Sequence, residues 1–440
     1  MIASINIKIH RFINKIFGSV FDFFGLKRYL FNFSWLFFGH LFFLIASFLV
    51  GVWIARYLGP DRYGLISYVV AFCGIFSVLI SFGTDNILNR ELVKSPDQRD
   101  NLLGTVFGIR LLGSLVAFIV SVSVAYFVNG QDNIWFLLVV IYSLGFFIQP
   151  LQVINIFFLS KVQSKNNTLA QFSSVIISSL LKILFIFLLK DSLILLIIIY
   201  ISDYLWQGLI LLLLYHKQKL SVSRWRFVPN LAQKTIKDSW PLMLSVATLF
   251  VYLHIDQVMI GFMMDKLSVG IYAIAVRIVE VFYFIPSLLC SALFPAIVNA
   301  RKVSLVIFLK RLKYFFWLLG LIGFCLSVFI HFCHKFLVIN TFGQDYLAAA
   351  PILRVYMWSS IGLFLSLGIN QYLIVEHKTK TIFIINFLVM IMNIVLNLTL
   401  IPLIGLLGAA VATLISYSLA PLMFYFYNIF QKNYIKKYES

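Results

Sequence analysis

Residues 192–215 read SLILLIIIYISDYLWQGLILLLLY, an apolar stretch long enough to cross a lipid bilayer as one helix. Eleven more stretches of this kind occupy most of the 440-residue chain, in which 62% of residues are hydrophobic and 12% charged. A soluble domain has about 25% charged residues, so a soluble fold is excluded. Unbroken apolar runs also lack the alternation of a transmembrane β-barrel. The sequence therefore predicts an all-α polytopic membrane protein with about twelve transmembrane helices.

The lysine and arginine residues predict how these helices are oriented. The predicted spans, good to a few residues, are 31–55, 64–84, 103–128, 134–160, 168–189, 192–215, 236–264, 270–299, 304–333, 347–375, 381–402 and 405–430. With loops assigned alternately to two sides, the side that holds both termini carries 26 of the 35 basic residues and the other side carries 5. Basic loops stay in the cytoplasm, so both termini are predicted to be cytoplasmic. Orientation, not nucleic-acid binding, explains the net charge of +19.

The chain divides into two halves of six spans. We expect a basic amphipathic segment on the cytoplasmic leaflet (1–30), a six-helix bundle (31–215), a cytoplasmic linker (216–235), a second six-helix bundle (236–430) and a cytoplasmic tail (431–440). Both bundles open with Ser-Trp, at Ser34 and at Ser239, and a glycine begins the next span of each. Six spans return the chain to its starting side. The halves should therefore be parallel repeats, which in transporters surround a central cavity.

Four strings carry a resemblance to a known family. They are ARYLGPDRYGLISYVVAF at 55–72, ISFGTDNILNREL at 80–92, TFGQDYLAAAPILRVY at 341–356 and NIVLNLTLIPLIGLLGAAVAT at 393–413. The chain resembles the polysaccharide repeat-unit (O-antigen-type) flippases of the multidrug/oligosaccharidyl-lipid/polysaccharide exporter superfamily from Asn32 to about Tyr427. That resemblance implies two six-helix bundles around a central cavity. It also implies transfer of a polyprenyl-pyrophosphate-linked oligosaccharide from the cytoplasmic to the outer leaflet.

Charged residues inside the second half predict where a head group binds. Asp256, Arg277, Glu280 and Arg354 all lie within spans, where each charge costs about 2.5–3.5 kcal/mol unless it has a partner or a wet cavity. Arg277 and Arg354 are the candidate pyrophosphate-binding cations, because guanidinium groups suit phosphate oxygens. The related lipid II flippases have an arginine in span 8 that lines their cavity. Arg277 matches its position, so the resemblance implies the same role for Arg277. A structural ion pair of Arg277 with Asp256 or Glu280 is the alternative.

The first half contains one pair of in-span charges, Lys182 and Asp203. Pairing between neighbouring helices is favoured, and a cavity cation at Lys182 with a titrating carboxylate at Asp203 is the alternative. Asp256, Glu280 and Asp203 are candidate carboxylates for a coupling ion, H⁺ or Na⁺. Polar side chains that could line a sugar path, or bond helix to helix, are Asn86, Asn89, Asn370, Gln371, Asn393 and Asn397.

Other functions are less favoured. An ion-coupled drug exporter of the same superfamily should have an acid-dominated cavity, whereas basic and acidic in-span residues are balanced here. A non-transporting scaffold for envelope assembly would tolerate loss of Arg277 and Arg354. Short outer loops and the lack of H-E-x-x-H, Walker A, G-x-S-x-G and D-x-D motifs argue against an enzyme. We predict no catalytic residue, cofactor or metal site. The expected location is the bacterial cytoplasmic membrane, and the expected partners are the lipid-linked substrate, membrane lipids, and a polysaccharide polymerase with its chain-length machinery.

Overall fold

A computed structural model describes residues 23–129, 132–188, 192–376 and 378–438, and every regular element within these ranges is helical. The helices are α1 (Phe23–Ser81), α2 (Asp85–Lys94), α3 (Arg99–Asn129), α4 (Asn133–Leu144), α5 (Val153–Ser160), α6 (Ser164–Leu188), α7 (Leu193–Lys217), α8 (Pro229–Met263), α9 (Lys266–Phe282), α10 (Phe284–Val303), α11 (Leu305–Phe342), α12 (Ala349–Val375), α13 (Thr379–Ile404) and α14 (Leu406–Tyr438). The first 22 residues of the predicted amphipathic segment 1–30 lie outside the described residues.

Helix α1 is a hairpin of two spans. Gly59 has φ 72° and ψ 171°, a conformation essentially reserved for glycine, and Pro60 follows it. Ser47 and Tyr63 lie on opposite sides of this bend and would be about 24 Å apart along a straight helix. Both nevertheless contact the guanidinium of Arg277. The chain must therefore fold back at Gly59, which brings residues 37–58 and 60–81 side by side.

The hairpin brings the number of spans to twelve. Eleven helical segments of the described residues are long and apolar enough to cross a membrane, and the first of them, Phe37–Lys94, includes the Gly59 bend. Counting that segment as two spans gives six before the connection at 218–228 and six after it. The all-α, twelve-span fold class predicted from sequence is confirmed.

Two spans are interrupted in ways that hydropathy did not predict. Span 4 consists of α4 and α5, joined by 3-10 turns around Pro150. Span 8 consists of α9 and α10, which meet at Tyr283. A break inside a membrane frees backbone groups that need new partners. In span 4, the Ser114 hydroxyl supplies one by donating to the Phe146 carbonyl at 2.9 Å.

The two halves make close contact beside the Gly59 bend, at the predicted outer end of the molecule. Gly64 of α1 and Gly270 of α9 face each other so closely that a Cβ on either would overlap the backbone of the opposite helix. Small residues permit this approach in lipid. An ion pair between Lys266 and Asp132 (2.5 Å) joins the halves at the same end. The halves are thus held together at this end.

The connection between the halves is shorter than the predicted linker 216–235, because α7 ends at Lys217 and α8 begins at Pro229. Its last residues pack on α3. The Arg226 amide donates to the Asp100 carbonyl (3.3 Å), and the Val228 amide donates to the Thr105 hydroxyl (3.0 Å). These contacts fix the start of α8 to the N-terminal half.

Candidate functional site

The centre of the candidate site is Arg277, on α9 of the C-terminal half. Its guanidinium donates to the Ser47 carbonyl at 2.6 Å and to the Tyr63 hydroxyl at 3.1 Å. Both partners belong to α1, so this side chain bridges the two halves. Gly51 makes room for it, because a Cβ at that position would overlap the guanidinium.

Three cavities meet at Arg277. The N-half chamber, about 310 Å³, lies among α1, α6 and α7. The α1–α9 fissure, about 270 Å³, lies between residues 40–48 of α1 and residues 277–281 of α9. The central cavity, about 280 Å³, lies between the second arm of α1 and helices α8 and α9. Each is close to the lower limit of about 300 Å³ for small-molecule pockets. One guanidinium therefore borders all three spaces.

Glu280 lies one helical turn from Arg277 and is exposed to both the fissure and the central cavity. Its carboxylate has no hydrogen bond or ion pair with any described side chain within 4.0 Å, so it is not a close structural partner of Arg277. Two histidines lie in the same region. His40 lines the fissure, and His254 lines the central cavity.

Lys182 and Asp203 form an ion pair inside the N-half chamber. The Lys182 ammonium donates to Asp203 Oδ2 at 2.8 Å and lies 4.5 Å from the centroid of the Tyr200 ring. The side chains are 11% and 38% exposed, so the pair is accessible from the chamber. The predicted pairing across neighbouring helices is present, and both residues also line a cavity.

Asp256 lies elsewhere, in the interior of the C-terminal half, and is only 2% exposed. Its carboxylate accepts hydrogen bonds from Tyr272 (2.9 Å), from the Asn397 amide (2.6 Å) and from the Thr413 hydroxyl. The Asn397 amide also donates to Asn393 Oδ1 at 3.1 Å. The structure thus gives Asp256 and Arg277 separate partners, and the alternative ion pair between them is not formed.

Several other predicted site residues lie away from the three cavities. Arg354 is on an exposed face of α12 and lines none of them. The proposed sugar path is not assembled either. Asn86 and Asn89 are exposed on the short helix α2, Asn370 and Gln371 are half-buried on α12, and Asn393 and Asn397 are fully buried beside Asp256. The reason is helix rotation: depth in the membrane follows from sequence position, but the direction of a side chain depends on which neighbours the helix packs against.

Apart from Lys182 and Asp203, the polar walls of the N-half chamber were not predicted from sequence. The polar residues of the chamber on α6 are Gln171, Ser174, Ser178, Ser179 and Lys182, and those on α7 are Tyr200, Asp203, Tyr204 and Gln207. They recur at i, i+3, i+7, i+8 and i+11 on α6 and at i, i+3, i+4 and i+7 on α7, which places each set on one face. A search for polar stripes with this period would have found both walls. The contact of Ser47 with Arg277 could not be predicted from the sequence, because Ser47 accepts through its backbone carbonyl, a group that every residue has.

This architecture defines a class: a helical membrane protein of two six-span halves, with polar cavities between and within them. Residues 29–301, more than half of the chain, match the polysaccharide biosynthesis protein family, and residues 241–399 match the MatE family. The chain therefore belongs to the polysaccharide biosynthesis protein family. It is similar to the "Probable flippase AglR" of Haloferax volcanii, with 28% identity over 189 residues. That alignment covers 39% of this chain and 37% of the relative, so the chain spans little more than a third of this curated relative's length.

Solved structures share the fold. An inward-facing multidrug resistance MATE family transporter of the MOP superfamily superposes with a TM-score of 0.74 at 13% identity, covering 91% of this chain and 96% of the other. The lipid II flippase MurJ, in an inward closed conformation, superposes with a TM-score of 0.69 at 19% identity, covering 88% and 86%. At these identities the likeness establishes a shared fold and nothing finer.

Proposed function

We propose that this protein is a flippase that carries a polyprenyl-pyrophosphate-linked oligosaccharide from the cytoplasmic to the outer leaflet by alternating access. The observation that carries the proposal is the position of Arg277, a cation at the meeting point of three cavities between and within the halves. Membership of the polysaccharide biosynthesis protein family and the similarity to a probable flippase support the substrate class.

The physical task is to move a charged head group through hydrocarbon. A bare phosphate loses its hydration there, at a cost that prohibits spontaneous crossing. A guanidinium replaces part of that hydration with two parallel, charge-assisted hydrogen bonds. Arg277 can offer its donors to a phosphate once it releases the Ser47 carbonyl and the Tyr63 hydroxyl, both on the opposite half. Substrate binding and separation of the halves would then be linked through one side chain.

The basic loops support the direction of transport, because their distribution predicts that both termini are cytoplasmic. With the cytoplasm negative, the membrane potential assists outward movement of an anion by about 2.3 kcal/mol per charge per 100 mV. We further propose the cytoplasmic membrane of a bacterium as the location. A polymerase that consumes the flipped oligosaccharide, with its chain-length machinery, would be the partner.

Ion coupling is proposed at Asp256. A buried carboxylate needs a proton or a cation to offset its charge. Side-chain oxygens of Asn393, Asn397 and Thr413 lie with it, and Asn397 Oδ1 is buried without a donor among the described residues. Oxygen donors of this kind suit a hard cation such as Na⁺. Binding of H⁺ or Na⁺ here would return the empty carrier, and Asp256→Asn should remove any dependence of transport on the ion gradient without removing substrate binding.

The test is transport of fluorescent lipid-linked oligosaccharide in proteoliposomes that contain the purified protein. Arg277→Ala should lower the initial rate at least tenfold, since a charge-assisted hydrogen bond contributes about 1.5–3 kcal/mol. Arg354→Ala is the matched control and should keep the wild-type rate, because Arg354 lines none of the three cavities. Equal losses in both variants, or none in either, would reject Arg277 as the head-group site.

The drug exporter remains a testable second candidate, since a MATE family transporter shares the fold. It predicts efflux of organic cations that is independent of Arg277. A scaffold predicts normal polysaccharide assembly in cells that carry Arg277→Ala. Accumulation of lipid-linked oligosaccharide on the cytoplasmic side of the membrane, in a strain that lacks this gene, would contradict both the drug exporter and the scaffold.

A further inference from the structure

The N-half chamber has a composition that phosphate binding alone does not explain. Of the seventeen residues that line it, nine are polar or charged and three more are tyrosines, in a chain that is 62% hydrophobic when tyrosine is counted as hydrophobic. A phosphate site needs cations, whereas most of these groups are hydroxyls, amides and phenols. Polar groups inside a membrane protein are expensive and mark a functional surface. The chamber is therefore built for a ligand that is rich in hydrogen bonds.

The charge of the chamber favours a neutral ligand. Lys182 and Asp203 neutralise each other at 2.8 Å, and Arg277 stands at the boundary with the other two cavities. The remaining polar lining carries no charge. A second anionic group would gain little from a cation that is already paired, but a hydroxyl can both donate to a carboxylate and accept from an ammonium.

One acceptor beside the chamber lacks a hydrogen-bond partner. Asp203 Oδ1 is buried and has no donor among the described residues, while Oδ2 accepts from Lys182. The Asp203 side chain is 38% exposed, so a rotation of its carboxylate brings Oδ1 within reach of a ligand. An enclosed acceptor without a donor costs about 1–3 kcal/mol. The hydroxyls of Ser174 and Ser178 donate to carbonyls of their own helix, at 2.9 and 3.3 Å, so their lone pairs remain available to accept. A hydroxyl-bearing ligand would satisfy both sets of groups.

The remaining walls supply apolar faces and amides. Tyr142, Tyr200 and Tyr204 line both the chamber and the central cavity, and Gln171 and Gln207 stand on α6 and α7. Gln207 is held in place, because its Oε1 accepts from Gln152 at 3.0 Å. Aromatic faces combined with amides and a carboxylate suit a sugar ring, which has apolar C–H faces and a rim of hydroxyls.

We propose that the N-half chamber is a saccharide-binding subsite, in which Asp203, Gln171 and Gln207 hydrogen-bond sugar hydroxyls while Arg277 at its boundary holds the phosphate. This inference rests on the proposed flippase function and deepens it, because it assigns the sugar and the phosphate to different groups. A chamber of about 310 Å³ admits a small part of an oligosaccharide, so specificity is decided by the sugar nearest to Arg277.

The test compares the binding of two probes to the purified full-length protein in detergent. The first probe is the lipid-linked saccharide extracted from source cells in which this gene is deleted, and the second is undecaprenyl diphosphate without sugar. Wild-type protein should bind the saccharide-bearing probe at least tenfold more tightly. Gln171→Leu, and the charge-neutral double variant Lys182→Gln with Asp203→Asn, should each weaken that probe about 10- to 100-fold. Binding of undecaprenyl diphosphate should stay within twofold of wild type.

Gln371→Leu is the matched control for Gln171→Leu, because it removes the same amide from a half-buried position outside the three cavities. It should bind both probes normally, and thermal unfolding checks that each variant is folded. Equal loss of both probes in the chamber variants, or wild-type binding in all of them, would overturn the subsite. Equal affinity of wild-type protein for the two probes would overturn it while leaving the flippase proposal in place. Failure of wild-type protein to bind either probe would overturn both.

Discussion

At the scale of single residues, the chemistry of Arg277 depends on a glycine that faces it. Gly51 lies on α1, and the guanidinium occupies the volume that any side chain at this position would take. Gly51 and Arg277 both line the N-half chamber, so the space beside Gly51 connects this chamber to the guanidinium. A glycine inside a transmembrane helix is thus explained by a neighbour from the other half of the chain.

Gly51→Ala should therefore act like a partial loss of Arg277. The added methyl group occupies the volume of the guanidinium and excludes it from the meeting point of the three cavities, so we expect the affinity for undecaprenyl diphosphate to fall about tenfold or more. Binding of that lipid to purified variants measures the effect. Gly74→Ala is the control, because its Cβ would come no nearer than 3.9 Å to His254 in the central cavity. If both variants bind as wild type does, Arg277 is not held where the phosphate binds.

At the scale of elements, the turn at Gly59 decides whether α1 forms one rod or two spans. Its φ of 72° and ψ of 171° cannot be adopted by other residues without strain, although the space around its Cα is open. The strings Leu-Gly-Pro at 58–60 and Ile-Pro at 401–402 mark the turns between spans 1 and 2 and between spans 11 and 12. Turns of this kind depend on a few neighbouring residues, so the sequence predicts them well.

Gly59→Ala should destabilise the protein by about 1–3 kcal/mol through backbone strain alone, because no atom lies within 4 Å of the new methyl group. The thermal unfolding midpoint in detergent should fall. Gly320→Ala should do the opposite and gain roughly 0.5–1 kcal/mol, since it removes a glycine from the interior of α11 where nothing crowds the added Cβ. An unchanged midpoint for Gly59→Ala would show that the bend relaxes without cost.

At the scale of the whole molecule, the halves are in close contact at the predicted outer end. Gly64 and Gly270 bring α1 and α9 into backbone contact, the Tyr346 hydroxyl donates to the Ala55 carbonyl at 2.8 Å, and Lys266 pairs with Asp132. The cavities around Arg277 lie below this contact. The described conformation is therefore closed at the predicted outer end, and transport requires these contacts to separate.

Gly64→Ala should shift the protein toward a form that is open at that end. Its Cβ would overlap the Lys266 carbonyl, a backbone group that cannot rotate away, and overpacking costs about 1–3 kcal/mol. We expect an introduced cysteine at Ile54, which is 1% exposed in the N-half chamber, to react about tenfold faster with an impermeant maleimide added outside. The four native cysteines are replaced by serine for this measurement. Gly320→Ala in the same background is the control, and a rate equal to the control would refute the role of this contact.

Hydropathy, loop charge and turn residues determined the twelve spans, their division into two halves and the in-span charges worth examining. These are local properties, because a span is set by the thickness of the bilayer and a turn by its own glycine or proline. The pairing of Lys182 with Asp203 could also be predicted from the sequence, since both residues lie at similar depths on adjacent spans.

Only the tertiary structure decided which polar groups share a cavity. Lipid is as apolar as a protein core, so a transmembrane helix shows little contrast between the face that packs and the face that meets lipid. The rotation of each helix is set instead by close contacts such as Gly64 with Gly270. That rotation turned Arg277 toward Ser47 and the N-half chamber, carried Arg354 to an exposed face, and buried Asn393 and Asn397 beside Asp256.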